Sequence, residues 1–284
     1  MNELLNFLKS KYNYDDELLS FLRSLIPIMI EYFGEEYRDK IISSFLETPI
    51  IITKNTIGKE IGDDNSGLLL AGGAFCPEVA VEDNSPKILG KVVIPTSAIK
   101  PFNFNDPKCV GNLVHELCHM VKSNLTINAA ENILVYYCGL SQTKGIIDNN
   151  EFSVQSSNNA LALEKAINAI DETIITQKLF PEYQLTSNYG RLASYIRPMI
   201  NENTEFLGKI RQSQFTGSSD WTEYFGIETS EKLIQLCSVH YDLMVNRIFE
   251  LINNENLQLE LDNIEKELIN IINLSKEIST KRTL

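Results

Sequence analysis

Histidine is scarce in this sequence: three residues in 284, at positions 115, 119 and 240. Cysteine is nearly as sparse. Cys76, Cys109, Cys118, Cys138 and Cys237 are scattered, odd in number and include no CxxC pair, which reads as reduced thiols in a cytoplasmic protein. Long apolar runs are missing too. The most apolar stretch, 22–33, is too short to span a bilayer and is interrupted by Arg23, Pro27 and Glu31. The opening residues Met1 to Leu5 lack a basic segment and a following apolar one, so no secretory signal is expected. Positive charge is in deficit, with 25 basic against 38 acidic residues and a formal net charge of -13. That balance speaks against nucleic acid and anionic membranes as partners. A basic or neutral peptide or protein substrate is compatible with it.

What is present is the composition of a folded chain, 43% hydrophobic and 22% charged, long enough to bury a sizeable core. Three regions are expected. Residues 1–48 read as helices, with Leu18, Leu19, Phe21, Leu22, Leu25 and Ile26 at helical spacing, Pro27 as a kink or break, and a second helix over 35–45. Residues 49–108 carry short β-branched runs: Ile50 to Thr53, Leu68 to Leu70 before a Gly72-Gly73 turn, Val79 to Val81, and Lys91 to Ile94. They predict a small, mostly antiparallel sheet. From Cys109 onward the pattern reads as helical, over 110–122, 129–138, 159–179, 191–200, 231–253 and 257–278. The last has an apolar stripe of Leu257, Leu259, Leu261, Ile264, Leu268 and Ile271, read as bundle core. The expected division is 1–48 for N-terminal helices, 49–200 for a sheet-and-helix core, and 201–284 for a C-terminal helical part.

Two of the three histidines fall in one short motif, His115-Glu116-Leu117-Cys118-His119. Val110, Leu113, Val114, Leu117, Cys118 and Val121 repeat at helical spacing, so one face of this helix is buried. His115 and His119, four residues apart, lie about 40° apart on another face, one turn above the other. Both imidazoles then reach a single zinc ion at roughly 2.0–2.1 Å. Glu116 is rotated away, suited to accept a proton from water rather than to bind the metal. Chance would place HExxH in such a chain on the order of a few times in a thousand.

In this motif, and over roughly residues 50–180, the chain resembles the zincin metallopeptidases. Lys122 and Leu125 stand where a metzincin has Gly and His, so the gluzincin pattern, with a glutamate on a later helix as third ligand, fits better. The helix over 159–179 offers Glu164, with Asn168 four residues on, or Glu172, with Thr176 four residues on. The two lie about 80° apart around the helix, and periodicity does not choose between them. The resemblance implies an α+β zincin-like fold, with the sheet packed on an active-site helix and additional C-terminal helices. It also implies a zinc cofactor held by His115, His119 and Glu164 or Glu172, and peptide-bond hydrolysis with Glu116 as general base. Tyr189, Tyr195 and His240 are candidates for stabilising the oxyanion, and Lys91 to Ile94 occupies the place of the zincin edge strand. The rival is a non-catalytic helical interaction protein with a structural or vestigial metal site. Glu116 argues against it, because a structural site needs ligands but no base.

Overall fold

The computed structural model describes residues 1–282 apart from 63–71, 83–84, 98, 100, 129–132, 149–150, 158–159 and 186–188. The chain folds as two compact units, at boundaries other than the expected 48/49 and 200/201. The first comprises Met1–Leu125, Ile147–Phe152 and Asp171–Gln184, and the second Thr126–Ile146, Ser153–Ile170 and Leu185–Leu284.

The first unit begins with helices α1 (Asn2–Tyr12), α2 (Asp16–Phe33) and α3 (Arg38–Glu47), the last preceded by a 3-10 turn at Glu35–Tyr37. Asp15 starts α2, its carboxylate accepting the Leu18 N–H at 2.8 Å, which satisfies one of the donors a first helical turn leaves open. Leu18, Leu19, Leu22, Leu25 and Ile26 are buried, as their spacing requires. Pro27 does not end the helix. It and Arg23, whose carbonyl loses its partner there, both lie on the solvent side, where water replaces the missing donor.

Strand β1 (Ile50–Thr53), the short helix α4 (Ile57–Ile61), β2 (Ala74–Glu82) and β3 (Ser85–Pro95) follow. The strand order is β1-β3-β2, with β1 parallel and β2 antiparallel to β3. The expected run Leu68 to Leu70 lies outside the described residues. One expectation fails on this order. Lys91 to Ile94 belongs to the middle strand, where Val92 pairs with both Ile50 and Phe75, so it is not an edge. Among the described residues β2 is an edge instead.

Helix α5 (Pro107–Val121) carries the HExxH residues. Asp106 caps it through the Lys108 N–H at 2.9 Å, and Pro107 takes the first position, where no N–H is needed. It packs against α3, β2 and β3. Val110, Leu113, Val114, Leu117, Cys118 and Val121 are buried, the face the spacing gives.

Beyond α5 the all-helical expectation is wrong. Strands β4 (Ser123–Asn128), β5 (Ile133–Cys138), β6 (Ser141–Asp148) and β7 (Glu151–Ser157) form a second sheet in that order. The helix expected over 129–138 has its first four residues outside the described set, and the rest is β5. Ile133-Leu-Val-Tyr-Tyr-Cys138 is β-branched and aromatic, a composition that suits a pleated surface. Gly139, at φ 61°, opens the two-residue loop between the paired Cys138 and Ser141, a position that calls for positive φ.

Helix α6 (Leu161–Leu179) gives its first half to the second unit and its last nine residues to the first. The second unit continues with α7 (Gly190–Asn201), α8 (Thr204–Thr216), α9 (Thr222–Phe225), α10 (Ile227–Tyr241), a π turn at Asp242–Asn246, α11 (Ile248–Ile252) and α12 (Glu255–Arg282). Helices α8 and α9 were not expected, and the π turn interrupts the single helix expected over 231–253. Helix α12 packs on α7 and α10. Leu257, Leu261, Ile264, Leu268 and Ile271 are buried there, while Leu259 points outward. The α+β class holds, mainly helical with two small sheets, the first mostly antiparallel with β1 added in parallel. Among the described residues no helix is long and apolar enough to cross a membrane.

Within the first unit a buried ion pair joins α6 to the end of α5. Lys122 Nζ lies 3.2 Å from Asp171 Oδ2, both side chains fully buried, and the Tyr32 hydroxyl donates to Asp171 Oδ1 at 2.9 Å. Removing one member strands a charge, so Asp171→Ala should cost about 3–5 kcal/mol in urea unfolding. The double change Lys122→Met with Asp171→Leu should recover most of that loss. A single-variant cost below about 1 kcal/mol would show that the pair does not hold the two helices together.

Candidate metal centre

The i,i+4 spacing on α5 puts the His115 and His119 rings 5.0 Å apart between centroids and 78° between planes. Both residues are only 9% exposed. The second half of α6 brings a carboxylate to the pair. Glu172 Oε2 lies 2.9 Å from His115 Nδ1, and Glu172 Oε1 accepts a short hydrogen bond from the Tyr183 hydroxyl. Burial alone would disfavour an imidazolium at His115. The Glu172 hydrogen bond and the charges of Glu116 and Glu172 outweigh it, against an opposing contribution from Lys122, and the pKa of His115 is raised. The pocket therefore favours positive charge at this ring. Burial, and then the Glu172 charge and hydrogen bond, push the Tyr183 phenol upward, so it stays a donor.

Glu116 is turned differently. It is only part-buried, and its Oε2 accepts the Phe75 N–H of β2 at 2.7 Å. Gly73, just before β2, makes room for it: an added Cβ would sit 3.0 Å from Glu116 Cγ and 2.7 Å from Ile94 Cδ1. The general-base candidate is thus held, part-buried, at the start of β2 while the imidazoles stay buried.

Glu164, the other glutamate offered by the α6 sequence, is engaged inside the second unit. Its Oε2 accepts the Leu140 N–H and the Gln214 side-chain amide, each at 2.9 Å. A side chain at Gly139 would overlap that carboxylate, so glutamate and hairpin turn are built around each other. Glu172, eight residues later, is the one that meets a motif histidine.

No family model, curated protein or solved structure matches this chain.

The fit to a metal rests on donor chemistry. Among the described residues no group of three or more His, Cys, Asp or Glu side chains is arranged to hold an ion. What the structure assembles is two imidazoles in edge-to-face contact and a carboxylate hydrogen-bonded to Nδ1 of one of them. A ligating histidine gives its second ring nitrogen to a carboxylate, which fixes the tautomer and leaves Nε2 for the metal. His115 and Glu172 have that relation.

The three oxyanion candidates belong to networks within the second unit. Tyr189 accepts from Lys165 Nζ at 3.1 Å and stacks on Tyr241. Tyr195 donates to Glu265 Oε2 at 2.7 Å, Arg191 grips the same carboxylate at 2.6 and 2.8 Å, and His240 Nε2 lies 3.1 Å from its Oε1. Sequence reasoning missed Tyr183 and the Phe75 amide. The signal for Tyr183 was Gly111, a glycine inside an amphipathic helix, which marks a close approach.

His240 is buried, and burial outweighs the help of Glu265, with Arg191 opposing, so its pKa lies below the ordinary value. The unfolded chain then binds a proton near pH 6.5 that the folded chain refuses. Stability should fall as pH drops from about 6.5 towards the folded pKa, since the unfolded state binds more protons in that window. His240→Gln should lose this component, read as a smaller shift of the urea midpoint between pH 7.5 and pH 5. An identical shift in both proteins would remove His240 as the cause.

Proposed function

We propose that this chain is a zinc-dependent metallopeptidase of the zincin class, gluzincin-like, acting on a peptide or protein substrate. The observation that carries the reading is the buried pair of motif imidazoles, His115 and His119, with the Glu172 carboxylate on His115 Nδ1 and Glu116 anchored beside them at the start of β2. His115 and His119 would hold the ion, and Glu172, with its carboxylate on His115 Nδ1, would orient that ligand rather than act as the third ligand of the gluzincin pattern. A zinc ion in this place supplies Lewis acidity that brings the pKa of water towards neutrality and polarises the scissile carbonyl.

The residues of the chain do the rest. Glu116, part-buried and oriented by the Phe75 amide, accepts a proton from the attacking water and returns it to the leaving amine. Among the described residues no further strand pairs with β2, and main-chain groups on that side beyond Phe75 would align an extended peptide. An excess of acidic residues favours basic or neutral substrates. The rival, a non-catalytic helical interaction protein, leaves the anchored Glu116 without a purpose.

The wild-type chain should carry about one zinc, and His115→Ala or His119→Ala should abolish stoichiometric binding. Glu172→Ala should weaken zinc affinity by at least about 10–100-fold, the cost of losing a carboxylate that supports a ligand. Glu164→Ala should leave affinity unchanged. Isothermal titration of the four variants at one pH reads this out, and the reverse ranking of the two glutamates would move the site's carboxylate to Glu164. Glu116→Gln should keep zinc and fold but lose hydrolysis by a factor of about 100 or more. Near-wild-type turnover on a peptide substrate that the parent cleaves would remove Glu116 as the base.

A further inference from the structure

We infer that Tyr183 is a positioning residue that fixes the Glu172 carboxylate on His115, in a notch that Gly111 leaves in α5. The inference rests on the metal-site reading for its purpose and on three contacts for its geometry. After α6 the chain turns back, with the Tyr183 N–H bonded to the Phe180 carbonyl at 2.9 Å and the Tyr183 carbonyl accepting from Gln177 Nε2 at 2.8 Å. The turn lays the buried phenol along the helix it has just left, where it donates to Glu172 Oε1. Both oxygens of Glu172 are then committed, Oε1 to Tyr183 and Oε2 to His115 Nδ1. A carboxylate held at both oxygens has one orientation, and it imposes one tautomer on the ring.

Gly111 makes this possible. It stands one turn before His115 on α5, and a Cβ there would overlap the phenol oxygen and lie 2.7 Å from the ring carbon that bears it. Glycine inside a helix costs about 0.5–1 kcal/mol relative to alanine. The phenol occupies the space that residue leaves, directly beside the ring to be oriented.

Tyr183→Phe keeps the ring and removes the hydroxyl, which separates positioning from packing. In the metal-free protein at alkaline pH, the nitrogen NMR signals of His115 should change from one Nδ1–H tautomer to a mixture. Zinc affinity should fall about 10–100-fold. That loss should vanish in a Glu172→Ala background, because both changes act on one contact. An unchanged His115 tautomer in Tyr183→Phe overturns the inference, and so does an affinity loss that adds in full to that of Glu172→Ala. Should the wild-type chain bind no zinc, the metallopeptidase reading falls, while the tautomer measurement still decides the role of Tyr183.

Discussion

The hydrogen bond between Glu172 and His115 is the contact on which the arrangement of the first unit turns. It joins a side chain on α5 to one 57 residues later, so local propensity cannot create it. It joins α5 to the last nine residues of α6, which belong to the same unit, and the Lys122–Asp171 pair makes a second link beside it. Asp171 and Glu172 are adjacent, so the residue that grips the end of α5 sets the azimuth at which its neighbour meets the imidazole. Two carboxylates on consecutive helical positions point about 100° apart. One therefore reaches the lysine and the other the histidine without competing for the same cation.

The base candidate is governed by a different constraint. Glu116 is adjacent to a histidine of the pair yet turned about 100° from it around the helix, towards the start of β2. An amide at the start of β2 provides the anchor, and it can do so only because Gly73 lets the strand come close to α5. The mixed order β1-β3-β2 is what leaves β2 at an edge. Had β3 been the edge, as the strand nearest α5 in sequence suggested, the anchoring amide would have belonged to a different segment. Sheet order thus reaches the chemistry through one backbone N–H.

The helix α5 was legible from sequence because cap, apolar stripe and polar face agree at every level, from Asp106-Pro107 to Val121. The choice between Glu164 and Glu172 was not. The two lie about 80° apart on one helix, a difference periodicity cannot use, and what separates them is which half of α6 each occupies, a property of long-range packing. The strands over 123–157 were missed for another reason. They are short and polar-rich, and only Ile133 to Cys138 carries the β-branched and aromatic run that separates strand from buried helix. Pro27 misled in the opposite direction, since its cost depends on whether the freed carbonyl reaches water, and here it does.

The polar content of the first unit's interior bears on function through its cost. His115, His119, Lys122, Asp171, Glu172 and Thr176 are all buried. Replacing a buried ion pair by apolar residues of similar volume is often neutral or stabilising, so stability alone gives little reason for this cluster. A glycine at 111 adds its own helix penalty. Each feature nonetheless serves one outcome: Lys122 holds Asp171, Asp171 sets Glu172, Gly111 admits Tyr183, and Tyr183 and Glu172 orient His115 from two sides. Several unfavourable choices gathered around one imidazole fit a ligand at that ring better than a core built for stability alone. That convergence is what favours the catalytic reading over the interaction-protein rival, because an empty or vestigial site would be expected to relax towards an apolar core.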